Sequence, residues 1–530
     1  MIKKIILKNF KSLKDTEINC NNGTNILVGE NNAGKTTILQ AINLVLNGSY
    51  SQIAKNNLSS LFNTNVVSNF LNEKNIKNLP EVRVEIYLDE SNPLVANNFD
   101  LEGNHNSLNE KTAGLVLLIS PSKDYKKEIE DMLNQTTWQI FPFEFYNIDF
   151  LTFSGRSYNA YSKPFKFKNM MIDTSLINTN NEIRKRISEV YDTSIERENR
   201  ATINHKFREN STNFLTQLEN DGLVSNKNSE YNLHFEDSED FFRSKVSVSK
   251  NSVDIKNTGQ GEKVLLSVEN ALNNIKNNIE VVLIEEPENH LSYLNMQKLI
   301  HMISHNFGVQ IFIATHSNMI ATRLGINNLV FVSSGEIYKP GELQDETIKF
   351  FQKSTNQHLL NFILANKIIL VEGNAEYILL EKFYKMKQGN EPLEDGVHII
   401  SVDGLSFKRY LEVAKQFSHK QVAVITDNDK DYEKNIINKY EKYTNIDNIK
   451  VFADLDNELY TFEVCNYAIN SEILEGISTI KTSDTLKYMI REKTETAFNI
   501  LTELENNPSF ANAFNIPSYI EEAIKWIVRD

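Results

Sequence analysis

Cysteine is scarce in this chain of 530 residues. Only Cys20 and Cys465 are present, and they form no CxxC pair. This excludes a disulfide-stapled scaffold and a zinc site built from thiolates. Two isolated cysteines suit a reducing compartment, so we expect the protein in the cytoplasm.

Long apolar runs are missing as well. No stretch of about 18 uninterrupted apolar residues occurs, which argues against a helix that spans a membrane. The opening MIKKIILKNFKSL alternates as a strand does and lacks the apolar core and cleavage site of a signal peptide. We therefore expect no membrane partner.

An excess of positive charge is also absent. The chain has 56 Lys and Arg against 70 Asp and Glu, a net charge of -14. This balance argues against a protein that coats nucleic acid by bulk electrostatics, so any DNA site would need a local basic groove. The hydrophobic content of 40% and charged content of 24% are ordinary for folded domains, and the length predicts at least two of them.

The segment GENNAGKT, Gly29 to Thr36, fits the phosphate-loop pattern G-x-x-x-x-G-K-[ST] between a predicted strand and a predicted helix. The glycines let backbone N–H groups point at phosphate oxygens, and the helix dipole favours the same anion. Lys35 would reach the β- and γ-phosphates, and the Thr36 hydroxyl would bind magnesium. We expect the nucleotide, ATP, to be bound by Gly29, Asn31, Asn32, Gly34, Lys35, Thr36 and Thr37.

A second element of a nucleotide site is VVLIEEPEN, an apolar strand followed by two acids. Glu285 at the strand end would hold magnesium or its water, and Glu286 would orient and deprotonate the attacking water. His316, after the strand of VQIFIATHS, is placed to contact the γ-phosphate. Alone, two acids after a strand are most often solvated, but a phosphate loop upstream favours the catalytic interpretation.

Between these motifs lies NTGQGEKVLLSVENAL, a loop with Gly259 and Gly261 that leads into a helix and could bind a second anion. Together with the wide separation of the motifs, it resembles the cassette ATPases of the SMC and recombination-protein type. In that group the loop of one subunit completes the ATP site of another. The resemblance implies a homodimer or higher homo-oligomer in which Gly259 and Gly261 contact the nucleotide.

The segment ILVEGNAEYILLEKF raises a different question, because a buried strand ends there in Glu372 and a helix opens with Glu376. VITDNDKD adds Asp427 and Asp429, two residues apart and expected on one side of an extended strand end. Four carboxylates at neighbouring ends of a parallel sheet suit magnesium or manganese. Such a site could activate water against a phosphodiester. The alternative is a set of acids that only favour helix dipoles.

The second half of the chain resembles the Toprim domain, whose motif acids fall on Glu372, Glu376, Asp427 and Asp429. The full order resembles the OLD (overcoming lysogenization defect) family. That resemblance implies an α/β protein: an ABC/SMC-like P-loop ATPase domain with an inserted helical dimerisation segment, followed by a Rossmann-like Toprim nuclease domain. It also implies a further metal-binding acid, Glu463, and a late lysine, Lys493, that neutralises phosphate charge. Cys465 stands near a position where the family often has another acid.

These patterns predict four segments. The ATPase domain comprises residues 1–174 and 226–365, interrupted by a polar helical insert at 175–225, and the Toprim domain covers 366–530. The insert could also be a surface excursion without a partner. The residues expected to act in catalysis are Glu286, His316, Glu372, Asp427 and Lys493.

The resulting hypothesis is an ATP-regulated, divalent-metal-dependent DNA endonuclease or nickase, used in prokaryotic defence according to the family resemblance. Two alternatives remain open. The first is an SMC-like DNA-clamping ATPase whose acids bind metal without cutting. The second is a topoisomerase, for which the chain after Asp429 is short. Members of the family occur alone, with a superfamily 1 helicase-like partner or with a retron, and the sequence does not choose between these arrangements.

Overall fold

The structure is a computed structural model of the whole chain. It describes every residue except 74, 76–77, 134–139, 174–186, 189, 225–232, 236–240, 251, 274–278, 290, 306–307, 334–335, 340–342, 354–357, 403, 405–406, 418, 478–483 and 530.

Strands and helices alternate along most of the chain. The strands are β1 Ile2–Phe10, β2 Leu13–Asn19, β3 Thr24–Val28, β4 Val82–Leu88, β5 Glu102–Gly103, β6 Thr112–Pro121, β7 Tyr146–Thr152, β8 Lys168–Asp173, β9 Ser249–Lys250, β10 Val253–Asp254, β11 Ile279–Glu285, β12 Gln310–Ala314, β13 Leu329–Ser333, β14 Glu336–Tyr338, β15 Lys367–Val371, β16 Val397–Ser401, β17 Gln421–Ile425 and β18 Ile449–Phe452.

The helices are α1 Lys35–Asn47, α2 Tyr50–Asn56, α3 Thr64–Glu73, α4 Lys126–Leu133, α5 Arg197–Asn220, α6 Phe241–Lys245, α7 Gln260–Asn273, α8 Tyr293–Ser304, α9 Asn318–Arg323, α10 Asp345–Lys353, α11 Leu359–Leu364, α12 Asn374–Gln388, α13 Phe407–Ala414, α14 Phe462–Leu474, α15 Thr485–Arg491, α16 Lys493–Asn506, α17 Pro508–Ala513 and α18 Ser518–Val528. Within the described residues no helix is both long and apolar enough to cross a membrane.

The chain divides into two compact units. The first comprises Met1–Ile5, Ile38–Ser60 and Glu81–Ala314, and the second comprises Ile6–Thr37, Leu61–Pro80 and Thr315–Asp530. The second unit therefore contains both the phosphate loop and all of the predicted Toprim segment. The three boundaries between the four predicted segments stay a prediction.

In the first unit β8, β11 and β12 run parallel. Leu283 of β11 pairs with Met171 of β8 on one side and with Phe312 of β12 on the other. Leu283 is fully buried, as expected for a continuous apolar strand inside a parallel sheet. A separate antiparallel arrangement joins β6 to β4, β5 and β7.

The second unit contains strands that carry the predicted site residues. β3 and β13 are parallel, with Val28 opposite Phe331, and β14 pairs antiparallel with β13. The other sheet has the order β16-β15-β17-β18, and all its pairs are parallel. Its core includes apolar residues of the sheet and of the helices α12, α16 and α18: Ile369, Ala423, Leu379, Phe383, Ile500, Ile520 and Ile524.

Parallel strands bring their carboxyl ends to the same edge of a sheet. Glu372 follows β15 and Asp427 follows β17, and these two strands are direct neighbours. The topology therefore places the two predicted Toprim motifs side by side.

The predicted helical insert is described only in part, since residues 175–186, 189 and 225 of it lie outside the described residues. Its main element is α5, a helix of 24 residues with no buried side chain. The exposed Phe214 lies on this helix. One side of α5 packs against α6, where the rings of Phe207 and Phe242 lie 5.2 Å apart. The exposed remainder of this polar helix is compatible with a dimerisation role, which stays a prediction.

Candidate functional site

The phosphate loop follows β3 and ends where α1 begins, in the predicted order. A Cβ on Gly29 would lie 2.1 Å from the carbonyl oxygen of Val332, so no larger residue fits there without moving β13. Gly34 has a φ of +114°, and a Cβ there would lie 2.8 Å from Leu13 Cδ2. Both glycines are therefore required by the close approach of neighbouring chain or by backbone conformation.

Lys35 is the first residue of α1 and is 5% exposed. Its Nζ donates to the carbonyl oxygens of Gly29 and Glu30, each at 2.8 Å. The ammonium is thus held over the loop, where it could reach phosphate oxygens. The first turn of α1 contains no acid, so the helix N-terminus keeps its preference for an anion.

The remaining predicted loop residues are neighbours of this lysine in the sequence. Asn31 and Asn32 are exposed, and Asn32 has a positive φ of 63°. Thr36 and Thr37 lie in the first turn of α1, and Thr37 Oγ1 is 3.4 Å from Ser12 Oγ. These placements are consistent with nucleotide binding, which stays a prediction for each residue.

Glu286 has an unusual backbone. Its φ is 44°, a left-handed conformation that L-residues rarely adopt, and its N–H donates to the Ala314 carbonyl at 2.8 Å. Its carboxylate accepts from Asn289 Nδ2 at 2.8 Å. Glu285 is the last residue of β11. Strain of this kind concentrates at functional sites, which supports the prediction for Glu286.

The predicted nucleotide residues are distributed over the two units. Glu285, Glu286, Gly259 and Gly261 belong to the first unit, whereas the phosphate loop and His316 belong to the second. Gly259 lies directly before α7, and a Cβ on it would meet nothing within 4 Å. His316 is exposed directly before Ser317, which caps α9. That all of them act on one nucleotide stays a prediction.

Glu372 and Glu376 occupy the corner between β15 and α12. The Glu376 side chain is 8% exposed and accepts a hydrogen bond from the Gly373 N–H at 3.2 Å. This carboxylate therefore caps the helix, as the structural alternative for these acids requires. Glu372 lies between the strand and the cap, at the edge of the sheet.

The DND segment after β17 departs from the prediction. Asp429 has a φ of 49°, so the chain is not extended at this residue. The prediction that Asp427 and Asp429 lie on one side of an extended strand end is therefore wrong. The cause is Asn428, which is 1% exposed and donates to the carbonyl oxygens of Asp454 and Asp456, both at 2.9 Å. These bonds draw the backbone into a turn. No pattern in the sequence marked Asn428 as a positioning residue.

Asp427 is tied to the start of α14, because its Oδ1 accepts from the Phe462 N–H at 2.9 Å. Glu463 is the next residue of that helix and is 3% exposed. Lys493 Nζ lies 3.1 Å from Glu463 Oε2, while Glu463 Oε1 is buried without a hydrogen bond. The two residues that the family resemblance implied are thus brought together by α14 and α16, beside Asp427.

The acids influence one another electrostatically. Burial, together with Glu376 and Glu372, raises the pKa of Asp427 to about 8. Burial and the Asp429 charge raise the pKa of Glu372. Burial, and to a smaller extent Glu463 and Glu372, raise the pKa of Glu376. Carboxylates that disfavour each other's charge form a site in which a cation is stabilising.

The pKa of Lys493 is raised as well, but for a lysine this means that the charged form is favoured. Burial opposes its charge, but Glu463, Asp427 and Glu376 outweigh burial and raise the pKa of the ammonium. Lys493 is therefore a cation held against the acidic edge of the sheet.

The fit of these residues to a divalent ion is partial. The donors are carboxylate oxygens, the type that magnesium and manganese prefer, and the buried Glu463 Oε1 has no hydrogen bond. Among the residues that the structure describes, however, no group of three or more His, Cys, Asp or Glu side chains is arranged to hold a metal ion.

Family comparisons match one segment in each half of the chain. Residues 1–150 match the AAA ATPase domain family. Residues 363–429 match the Toprim domain of proteins similar to the overcoming lysogenization defect protein. The second match contains Glu372, Glu376, Asp427 and Asp429.

Similarity to individual proteins is local or distant. A DNA double-strand break repair Rad50 ATPase from Methanopyrus kandleri is 50% identical over 46 residues, which are 9% of this chain and 5% of that protein. The chain therefore spans a small part of this curated relative. An SMC head bound to the C-terminal winged-helix domain of ScpA aligns with 17% identity and a TM-score of 0.36, over 65% of this chain and 98% of that one. The C-terminal region of the Burkholderia pseudomallei OLD protein aligns with 20% identity and a TM-score of 0.20, over 31% and 97%.

Proposed function

The chain is an OLD-like protein, with an AAA-type ATPase domain at its N-terminus and an OLD-like Toprim domain, and on this premise we propose that it is an ATP-regulated, divalent-metal-dependent DNA endonuclease or nickase. The observation that carries this proposal is the edge of the parallel sheet where the half-buried Asp427 interacts electrostatically with Glu372, Glu376 and Lys493. An ATPase has no need of a second acidic site. Cleavage of a phosphodiester needs both cation-binding acids and a cation for the phosphate.

In the ATPase domain the proposed roles follow the predicted motifs. Lys35 binds the β- and γ-phosphates of ATP from its position over the loop carbonyls. Glu286 holds and deprotonates the attacking water, and His316 contacts the γ-phosphate. Thr36 and Glu285 are the residues that would hold magnesium, with Gly259 and Gly261 supplied by a second copy.

In the Toprim domain Glu372, Glu376, Asp427, Asp429 and Glu463 are the residues that would hold magnesium or manganese. The ion would supply charge that stabilises an in-line displacement at phosphorus. Lys493 neutralises the phosphate or the leaving oxygen, and the buried Glu463 carboxylate keeps the ammonium oriented and protonated. Asn428 holds the turn that carries Asp427 and Asp429.

The proposed partners are DNA and a second copy of the chain. Two Toprim sites in a dimer would allow one cut in each strand. A role in prokaryotic defence against phage or other foreign DNA is proposed from the family resemblance, which leaves open a helicase-like or retron-encoded partner.

A second function, DNA clamping driven by ATP without cleavage, is favoured by one observation. Two of the acids already serve as helix caps, since Glu376 accepts from Gly373 N–H and Asp427 accepts from Phe462 N–H. Within the described part of the chain they are not arranged around a metal position. The acids would then stabilise the fold only.

Plasmid digestion separates these functions. We expect the purified protein to nick supercoiled plasmid with magnesium or manganese, at a rate that depends on ATP. Glu372→Ala should abolish nicking, whereas Glu381→Ala, which alters an exposed acid of the following helix α12 away from the site, should retain it. Nicking that persists in Glu372→Ala, in a preparation free of contaminating nuclease, would reject the nuclease assignment and favour the clamp.

A further inference from the structure

Lys420 is a buried charge that the proposed chemistry does not use. Its side chain is 0% exposed, and its Nζ donates to the carbonyl oxygens of Ile363 and Ala365, the latter at 2.6 Å. The same Nζ lies 5.1 Å from the ring centroid of Phe417 and 5.9 Å from that of Phe331. Burial lowers the pKa of Lys420 to about 8. Burying an ammonium is unfavourable, so these fixed partners are needed to hold it there.

One of these partners, Phe331, lies on the strand that packs against the phosphate loop. Phe331 lies on β13 opposite Val28, the last residue of β3. The next residue of β13, Val332, is the one whose carbonyl a Cβ on Gly29 would strike at 2.1 Å. The backbone of the phosphate loop at Gly29 is therefore packed directly against β13.

A second partner leads to the segment of His316. Ile363 belongs to α11, and Lys420 holds the carbonyl groups at the C-terminal end of this helix. At the other end the Leu360 N–H donates to Asn318 Oδ1 at 2.7 Å. Asn318 begins α9, two residues after His316. The short helix α11 thus joins the predicted γ-phosphate contact to Lys420.

Lys420 also lies at the N-terminal end of β17, the strand that is followed by the acidic site. It directly precedes β17, whose first residue, Gln421, donates its N–H to the Asn366 carbonyl at 2.7 Å. Asn448 Nδ2 donates to the Lys420 carbonyl at 2.7 Å. β17 has five residues and is followed by the turn that contains Asp427. A displacement of Lys420 along β17 would move that turn.

We propose that Lys420 is a positioning residue that couples β13 and α11 to β17, so that ATP at the phosphate loop sets the position of Asp427 and Asp429. This inference rests on the proposed function, because it names the regulation of the same acidic site. Hydrogen bonds from a buried ammonium have defined directions, whereas apolar contacts alone would let the elements slide. The coupling is therefore lost when the charge is removed and the length of the side chain is kept.

The test compares the full-length wild type with Lys420→Met and with a matched control, Lys415→Met, in which an exposed lysine of the same segment is changed. Hydrogen–deuterium exchange is measured for peptides that cover residues 421–432, with and without ATP and magnesium. We expect ATP to alter exchange there in the wild type and in Lys415→Met. In Lys420→Met the ATP-dependent change should fall by about fivefold or more, while the Kd for ATP stays within about twofold.

Lys420→Arg, which retains the charge, should restore most of the ATP-dependent change. An undiminished change in Lys420→Met would overturn the proposal, as would the absence of any change in a wild type that has bound ATP. If Lys420→Met does not melt cooperatively, Asn318→Ala tests the other end of α11 by the same two criteria.

DNA cleavage is measured in parallel, as the ratio of rates with and without ATP. This ratio should approach one in Lys420→Met if the proposed nuclease function is right. A wild type that cuts no DNA but shows the ATP-dependent exchange at residues 421–432 would reject the nuclease function and leave the role of Lys420 standing.

Discussion

The Lys493 ammonium lies 3.1 Å from Oε2 of Glu463, a carboxylate that is 3% exposed. The two residues belong to different helices, α16 and α14, and meet beside Asp427. A buried carboxylate needs a partner, and Lys493 provides one that also faces the predicted DNA-cleaving edge.

Lys493→Met should therefore lower both stability and cleavage. It leaves the Glu463 charge buried and unpaired, at a cost of about 1–3 kcal/mol in the free energy of unfolding. Thermal melting should show a lower Tm than in Lys487→Met, which alters an exposed lysine. The double variant Glu463→Gln/Lys493→Met should recover most of the lost Tm. If the Tm of the double variant stays as low as that of Lys493→Met, Lys493 stabilises the fold by other contacts.

The same substitution should reduce plasmid nicking and leave binding of manganese measurable, because Lys493 neutralises phosphate and does not bind metal. Titration of the protein with manganese, followed by electron paramagnetic resonance, provides the check. Loss of metal binding in Lys493→Met would contradict this division of roles.

Asp427→Asn should change how stability depends on pH. The pKa of Asp427 is about 8 in the folded chain against 3.8 ordinarily, because of burial and then Glu376 and Glu372. Between about pH 4 and pH 8 the unfolded chain has lost a proton that the folded chain keeps, so the stability of the wild type falls as pH rises through this window. Asp427→Asn has no carboxyl group at this position, so its stability should not fall for this reason. We therefore expect a higher Tm for the variant than for the wild type at pH 8 in EDTA.

Asp447→Asn is the control, since it changes an exposed aspartate in the loop before β18. This variant should have the same Tm as the wild type at each pH. Magnesium should narrow the difference between wild type and Asp427→Asn, because a bound cation favours the ionised carboxylate. Equal pH dependence in the wild type and in Asp427→Asn would show that Asp427 is ionised in the folded protein.

Lys35→Ala should abolish ATP binding, because the phosphates lose the cation that is held over the loop. Glu286→Gln should bind ATP with near wild-type affinity and hydrolyse it slowly. Glutamine has the size of glutamate but cannot deprotonate the attacking water. Binding of a fluorescent ATP analogue and release of phosphate measure the two effects. Lys14→Ala, at an exposed position of β2, serves as the control. Normal ATP affinity and turnover in Lys35→Ala would reject the phosphate-loop assignment.

Light scattering at micromolar concentration with ATP should give at least a dimer. Phe214 is 56% exposed on α5, a helix with no buried residue, so Phe214→Asp should weaken the assembly. Thr212→Asp introduces the same charge two residues away and should leave the mass unchanged. A monomeric wild type would argue against contacts between chains through α5 and the Gly259 to Gly261 loop.

Much of the architecture could be predicted from local patterns. The α/β class and the combination of an ATPase domain with an OLD-like Toprim domain are confirmed. The predicted nucleotide site and the predicted Toprim site both rest on short motifs, GENNAGKT and the corner from Ile369 to Phe383. In each motif a strand, a turn and a helix follow one another within a few residues. Such motifs are readable because the backbone conformation and the placement of Gly29, Lys35 or Glu372 depend on near neighbours. The roles of the individual site residues stay predictions.

Local patterns in the sequence predicted where strands end and which of them end in acids. Three features could be found only from the packing of distant segments: Asn428 turns the chain at Asp429, Glu463 is buried against Lys493, and two phenylalanine rings and the end of α11 enclose Lys420. The physical reason is that burial and ion pairing depend on which distant segments the sheet brings together. A lysine before a strand looks the same in sequence whether water or protein surrounds it.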